Sequence, residues 1–194
     1  MSKPPPPEVL GLVLAGGLSR RFGGEDKAWQ LYRGRPLVEY ALNLLAPLGS
    51  VMISTNRDPG RYQRFGHPVV PDRRRGNLGP LSGIETAFLE SGAQALLVVP
   101  CDVLGAPADW TTRLLNHARH SGSPWVGTLD GERLQPLLGY WSRELLPVIG
   151  AALDAENLRV MDLVDPWLGN ALALPEGRRL LNLNTPEALA AARG

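Results

Sequence analysis

Apolar runs alternate with helically spaced apolar positions along most of the chain. Val9–Leu14 is nearly continuous in apolar residues, as a parallel strand buried on both faces should be. A glycine-rich stretch, Ala15 to Lys27, follows it. Leu37, Tyr40, Ala41, Leu44 and Leu45 then recur at helical spacing, with Pro36 at the helix start and Pro47 ending the pattern. Val51–Ser54, Pro68–Pro71 and Ala95–Val99 read as further strands. Helices are predicted around Leu81, Ile84, Ala87 and Phe88, with Pro80 at their start, and around Trp110, Leu114, Leu115 and Ala118.

The second half is less regular. Pro124–Leu129 and Gln135–Tyr140 read as strands, with Asp130-Gly131 as the turn between them. Leu145, Ile149, Ala152 and Leu153 mark a helix, and Leu158–Val164 a shorter one. Ala171–Leu174 and Leu180–Leu183 are late strand candidates. Thr185-Pro186-Glu187 has the form of an N-cap, a first-turn proline and a first-turn acid opening a last helix. Strands alternating with helices predict an α/β fold, a mainly parallel sheet with helices on both faces. The irregular second half suggests an antiparallel edge strand. Residues 1–7, with prolines at 4 to 7, read as a flexible tail, and residues 8–194 as a single domain.

Composition narrows the function. A formal net charge of +1 argues against a general nucleic-acid binder. The longest apolar run near the N-terminus, Val9 to Ala15, is too short to cross a bilayer, and the prolines before it do not form a secretory signal. The lone cysteine, Cys101, permits no internal disulfide and fits a reducing compartment. A cytoplasmic enzyme with no membrane and no nucleic-acid partner is the expectation.

Open α/β sheets bind ligands beyond the carboxyl ends of their strands. The first strand runs into Gly16-Gly17, the second into Ser54 and Asn56, the third into Asp72 and the fourth into Asp102. Four glycines between Leu14 and Lys27 let the backbone approach a ligand and turn its N–H groups toward phosphate oxygens. Arg20, Arg21 and Lys27 add positive charge. The loop lacks the Gly-Lys-Ser/Thr of a Walker loop and does not match Gly-x-Gly-x-x-Gly. Asp102 offers the hard oxygen that magnesium prefers, alongside substrate phosphates.

His117 and His120, three apart on a helix, lack an evident third ligand and read as a solvated face. Arg73-Arg74-Arg75 reads as a basic loop at the cleft edge, and the five tryptophans as core or rim packing.

The pattern Leu14-Ala15-Gly16-Gly17-x-Ser19-x-Arg21-x-Gly23-x-x-Asp26-Lys27 resembles the signature of the molybdenum cofactor guanylyltransferases, the MobA family. Asn56-Arg57, Asp72, Gly79-Pro80-Leu81-x-Gly83 and Pro100-Cys101-Asp102 resemble that family's later motifs, in order and at similar spacing. So do Asp130-Gly131-Glu132-Arg133, Arg159-Val160-Met161 and Asn182-Leu183-Asn184-Thr185-Pro186-Glu187. The resemblance implies a Rossmann-like nucleotidyltransferase fold and transfer of GMP from GTP to molybdopterin, with Mg2+ as cofactor. It implies nucleotide contacts at Leu14, Ala15, Gly16, Lys27, Asp72 and Asp102, the metal ligand at Asp102, and pterin contacts at Asn182 and Asn184. Gly17 joins them through the loop backbone, Ser54 through its place at the end of the second strand, and Arg21 with Lys27 as a catalytic cation. Molybdenum-cofactor carrier or insertion proteins are candidate partners.

Two positions depart from the family pattern. Leu104 stands where a proline is usual, and Ser54 where some relatives carry asparagine. Cytidylyl transfer to the same pterin, nucleotidyl transfer to a sugar phosphate, and a nucleotide-binding adaptor without catalysis stay open as alternatives.

Overall fold

The structure, a computed structural model, describes residues 8–16, 26–131, 133–183 and 186–191. The tail 1–7, the predicted site residues Gly17, Arg20, Arg21 and Asn184, and the predicted cap Thr185 lie outside the described residues. The elements run β1 (Val9–Leu14), β2 (Leu31–Tyr32), β3 (Arg35–Pro36), α1 (Leu37–Leu45), β4 (Val51–Ser54), α2 (Pro59–Tyr62) and β5 (Val69–Val70). Then come α3 (Pro80–Ser91), β6 (Ala95–Pro100), β7 (Val103–Leu104), α4 (Trp110–Ser121), β8 (Trp125–Asp130) and β9 (Arg133–Ser142). The last elements are α5 (Leu146–Asp154), α6 (Val160–Val164), β10 (Leu172–Ala173), β11 (Leu181–Asn182) and α7 (Pro186–Ala191).

Among the described residues, seven strands form one sheet in the order β10-β8-β9-β6-β1-β4-β5. β1 lies at its heart, parallel to β6 on one side and β4 on the other. Continuous apolar sequence places β1 there, because both its faces are covered. Val13, with Ile53 and Val99 of its neighbours, packs in one cluster with Val38, Ala41 and Leu45 of α1 and Trp110 and Leu114 of α4. Leu12 and Leu14, with Met52 and Val98, face the opposite way, toward Ile84 and Phe88 of α3 and Ile149 and Leu153 of α5. The alternation of side chains along a strand splits one apolar run between two layers of helices.

The expected edge position of the antiparallel strand is corrected. The reversed strand is β9, and it sits inside the sheet between β6 and β8, antiparallel to both. A tight connection at Asp130-Gly131, where Gly131 adopts φ +61°, returns the chain directly beside β8. Burial of both faces follows. Trp125 and Trp141 are fully enclosed and meet edge to face, with 6.5 Å between ring centroids.

A smaller layer stands beside the carboxyl edge of the sheet. β11 pairs antiparallel with β7, setting Leu181 opposite Leu104 and Asn182 opposite Val103. Leu104 packs with Tyr32, Leu37, Leu183 and Leu189. Leucine at 104 therefore continues a short strand and fills an apolar cluster. Among the described residues no helix is long and apolar enough to cross a membrane.

Candidate active site

Four strand ends meet at one edge. The Leu14 carbonyl accepts from Cys101 N at 3.2 Å, and Ala15 N donates to the Ser54 carbonyl at 2.9 Å. Thr55 N donates to the Val70 carbonyl at 3.0 Å, which brings the β5 end alongside. Leu14, Ala15 and Gly16 thus lie at the carboxyl edge of the sheet, with Ser54–Asn56 and Asp72 on the β4 and β5 side and Asp102 on the β6 side, where a ligand groove is expected. Among the described residues, a methyl group built on Gly16 would meet nothing closer than Thr55 Cα at 3.8 Å. Packing against those residues does not demand glycine there, whereas a ligand lying against the backbone would.

On one wall, Lys27 Nζ donates to Asp102 Oδ2 at 2.6 Å, 75 residues apart in sequence. The side chains are 16% and 23% exposed, so the pair sits at the rim, accessible and partly shielded. Lys27 opens a short 3₁₀ turn, Lys27–Trp29, capped by the Asp26 carboxylate, which accepts from Ala28 N at 3.1 Å. Asp102 lies in the two-residue turn between β6 and β7, and its own carbonyl accepts from Leu183 N at 2.9 Å. That bond sets Asn182, the predicted pterin-side residue, beside the acidic wall. The Asn182 side-chain nitrogen is buried without a hydrogen-bond partner among the described residues.

Cys101, between Pro100 and Asp102, belongs to the core. Burial, and then the charge of Asp102, pushes its thiol up, so it stays protonated and does not act as a nucleophile.

On the other wall, Asn56 clasps Asp72 through two hydrogen bonds of 2.8 Å. Burial raises the Asp72 carboxyl above its ordinary value, opposed by the Asn56 amide. Ser54 is placed differently from an open groove contact, being only 5% exposed. Its hydroxyl lies under α3, 2.6 Å from where a Cβ on Gly83 would stand. The small residues at 54 and 83 let α3 close over the ends of β1 and β4.

The basic run is mostly engaged elsewhere. Arg73 donates from its N–H to Thr86 Oγ1 at 3.0 Å and from its guanidinium to Glu90 at 2.9 Å. Arg74 forks onto the buried carboxylate of Glu85 at 2.7 and 2.8 Å and also reaches Asp154 at 2.5 Å. His120 Nδ1 lies 2.6 Å from the Asn116 carbonyl of its own helix, and no cluster of three or more metal-ligating side chains occurs among the described residues. Trp110, Trp125 and Trp141 are core residues.

No sequence pattern pointed to the part played by α2. Tyr62, fully buried, donates to Asp26 Oδ2 at 2.6 Å, and Trp29 packs against Tyr62 and Phe65. The segment is too short to show a period, and its contact with the Lys27 turn spans 36 residues.

The family model of the MobA-like NTP transferase domain matches residues 11–166. Molybdenum cofactor guanylyltransferases of Shewanella sediminis and Shewanella halifaxensis are 34% and 33% identical, over 93% of this chain and 93% and 91% of theirs. The chain belongs to the MobA-like NTP transferase family. As a member of that family it is a nucleotidyltransferase, an enzyme.

Two solved structures share the fold. Molybdopterin-guanine dinucleotide biosynthesis protein A from Archaeoglobus fulgidus superposes with a TM-score of 0.73 at 19% identity, covering 95% of this chain and 96% of that one. A putative glucose-1-phosphate thymidylyltransferase from Bacillus anthracis gives 0.72 at 14% identity, covering 95% and 94%. The MobA-like chain thus has the mainly parallel α/β sheet that its strand pattern predicts and the Rossmann-like nucleotidyltransferase architecture that its family resemblance implies.

Proposed function

We propose that this enzyme transfers GMP from GTP to the terminal phosphate of molybdopterin, releasing pyrophosphate. A phosphate oxygen of the pterin attacks the α-phosphorus in line. The new P–O bond forms as the bond to the bridging α–β oxygen breaks, and that oxygen leaves with the pyrophosphate. Such a transfer asks the protein for positioning and charge neutralisation more than for a nucleophile of its own. The observation that carries the reading is the Lys27–Asp102 pair, partly exposed just past the end of β6, the strand that runs parallel to β1 as β1 leads into Gly16.

Each residue then has a task. The backbone from Leu14 through Gly17 supports the nucleoside end, and the Asp72 carboxylate accepts hydrogen bonds from ribose or base. Lys27, with Arg21, neutralises charge on the triphosphate as the bond to the leaving group lengthens. Asn182 and Asn184 are assigned to the acceptor side. The Asn182 amide nitrogen, buried and without a hydrogen-bond partner among the described residues, supports that role, since a buried donor of this kind is costly without a ligand to receive it.

Asp102 suits a divalent cation. It is a hard oxygen donor at the rim, while the neighbouring thiol is buried in the core and stays protonated. Mg2+ bound there would neutralise phosphate charge and stabilise the departing pyrophosphate. In this reading residues 8–194 act as one catalytic unit in the cytoplasm, where a GTP pool is at hand. Carrier or insertion proteins for the molybdenum cofactor are its candidate partners.

The test is direct. The purified protein is incubated with Mg2+, molybdopterin and each of the four nucleoside triphosphates, and pyrophosphate release is followed. GTP should be the preferred donor, and equal or better use of CTP would reject the guanylyl assignment.

A further inference from the structure

The turn that carries Lys27 spans three residues, Lys27–Trp29. Its support comes from α2 and the residues after it. The Tyr62 hydroxyl donates to Asp26 Oδ2 at 2.6 Å, while Asp26 Oδ1 accepts from Ala28 N at 3.1 Å. One carboxylate thereby joins a buried phenol to the backbone of the turn. The third residue of the turn, Trp29, is held on several sides. The Tyr62 ring meets it edge-on at 5.3 Å, the Phe65 ring stacks at 5.6 Å, and the Arg61 guanidinium lies 4.1 Å from its ring centre.

We propose that Tyr62 is a positioning residue for the transfer reaction: it holds Asp26, and through Asp26 aims Lys27 at Asp102. Tyr62 cannot act as an acid or base. Burial and the neighbouring Asp26 charge keep its phenol protonated, and it serves as a fixed donor. Tyr62 is fully buried, and its hydroxyl adds a directed bond that a phenyl ring of the same shape would lack. Loss of that bond frees one carboxylate oxygen of Asp26 and lets the turn rotate. Small displacements of a charge-neutralising group are costly in a reaction that depends on placement.

The inference rests on the guanylyl-transfer reading, and the experiment separates the two. Tyr62→Phe is purified, its fold is checked by circular dichroism, and two things are measured: steady-state kinetics with GTP, and the Lys27–Asp102 distance in a crystal structure. We expect kcat to fall about tenfold with the KM for GTP changed less than about threefold, and the ion pair to open. A kcat within about twofold of the parent overturns the proposal, as does an intact ion pair in a variant whose kcat has fallen. If Tyr62→Phe does not fold, Asp26→Asn, which keeps the side-chain volume, is carried through the same two measurements with the same criteria. A parent protein inactive with every nucleoside triphosphate would reject the reaction instead, and the crystallographic arm would still decide the positioning role.

Discussion

Asn56 and Asp72 hold each other by two 2.8 Å hydrogen bonds, one from the Asn56 amide to the Asp72 carboxylate and one from the Asp72 backbone N–H to the Asn56 side-chain oxygen. The clasp ties the loop after β4 to the loop after β5 and fixes one wall of the groove. Asn56→Ala should raise the KM for GTP about tenfold with little change in kcat, since it loosens a binding wall and leaves the reacting centre alone. Steady-state pyrophosphate release against GTP concentration measures both quantities, and an unchanged KM would count against a nucleotide role for this wall.

The opposite wall should control the chemical step. Asp102→Ala should lower kcat by about a thousandfold or more, and Lys27→Ala by about a hundredfold. Both side chains are at the rim, so thermal midpoints should move little. Near-normal turnover by a folded Asp102→Ala protein would remove the metal assignment.

Asp72 gives a pH-dependent prediction. Burial raises its carboxyl, so the folded protein holds this proton more tightly than the unfolded chain does. The resulting stabilisation is complete below the unfolded pKa and is lost as pH rises through the raised folded pKa. An amide in place of this carboxyl does not titrate. The melting midpoint of Asp72→Asn minus that of the parent should therefore be more positive at about pH 7 than at about pH 3. The same substitution should weaken GTP binding. A midpoint difference that does not vary with pH would contradict the burial argument.

Gly83 is needed for space. A methyl there would stand 2.6 Å from Ser54 Oγ and 3.1 Å from Leu14 Cδ2, so α3 would have to lift from the strand ends. Gly83→Ala should cost about 1–3 kcal/mol in urea denaturation. Adding Ser54→Ala should recover part of that loss, and strict additivity of the two changes would refute the steric explanation.

Arg74 joins three elements, reaching Glu85 of α3 and Asp154 of α5 from the loop that follows β5. Arg74→Met leaves the buried Glu85 carboxylate without its partner and should lower the melting midpoint by several degrees. The paired change Arg74→Met with Glu85→Leu should regain most of that stability, because an apolar pair needs no charge partner. Calorimetry of the parent and the two variants checks this, and a paired variant as unstable as the single one would contradict it.

The sequence by itself determined the layers and the line of the cleft. Val9–Leu14 and Ala95–Val99 read as buried parallel strands because covering both faces leaves no room for polar positions, and the residues following them fall at the sheet edge where a ligand is expected. Family motifs then carried Lys27, Asp72 and Asp102 into view. Tertiary structure alone decided where β9 inserts, since which strand of the β8–β9 hairpin pairs with β6 leaves no local periodicity in the sequence. It alone turned Ser54 under α3, sent Arg73 and Arg74 onto α3, and brought Tyr62 to Asp26. Those contacts join residues from 11 to 36 positions apart, and such pairings are selected by packing and charge satisfaction in three dimensions, for which local spacing carries no signature.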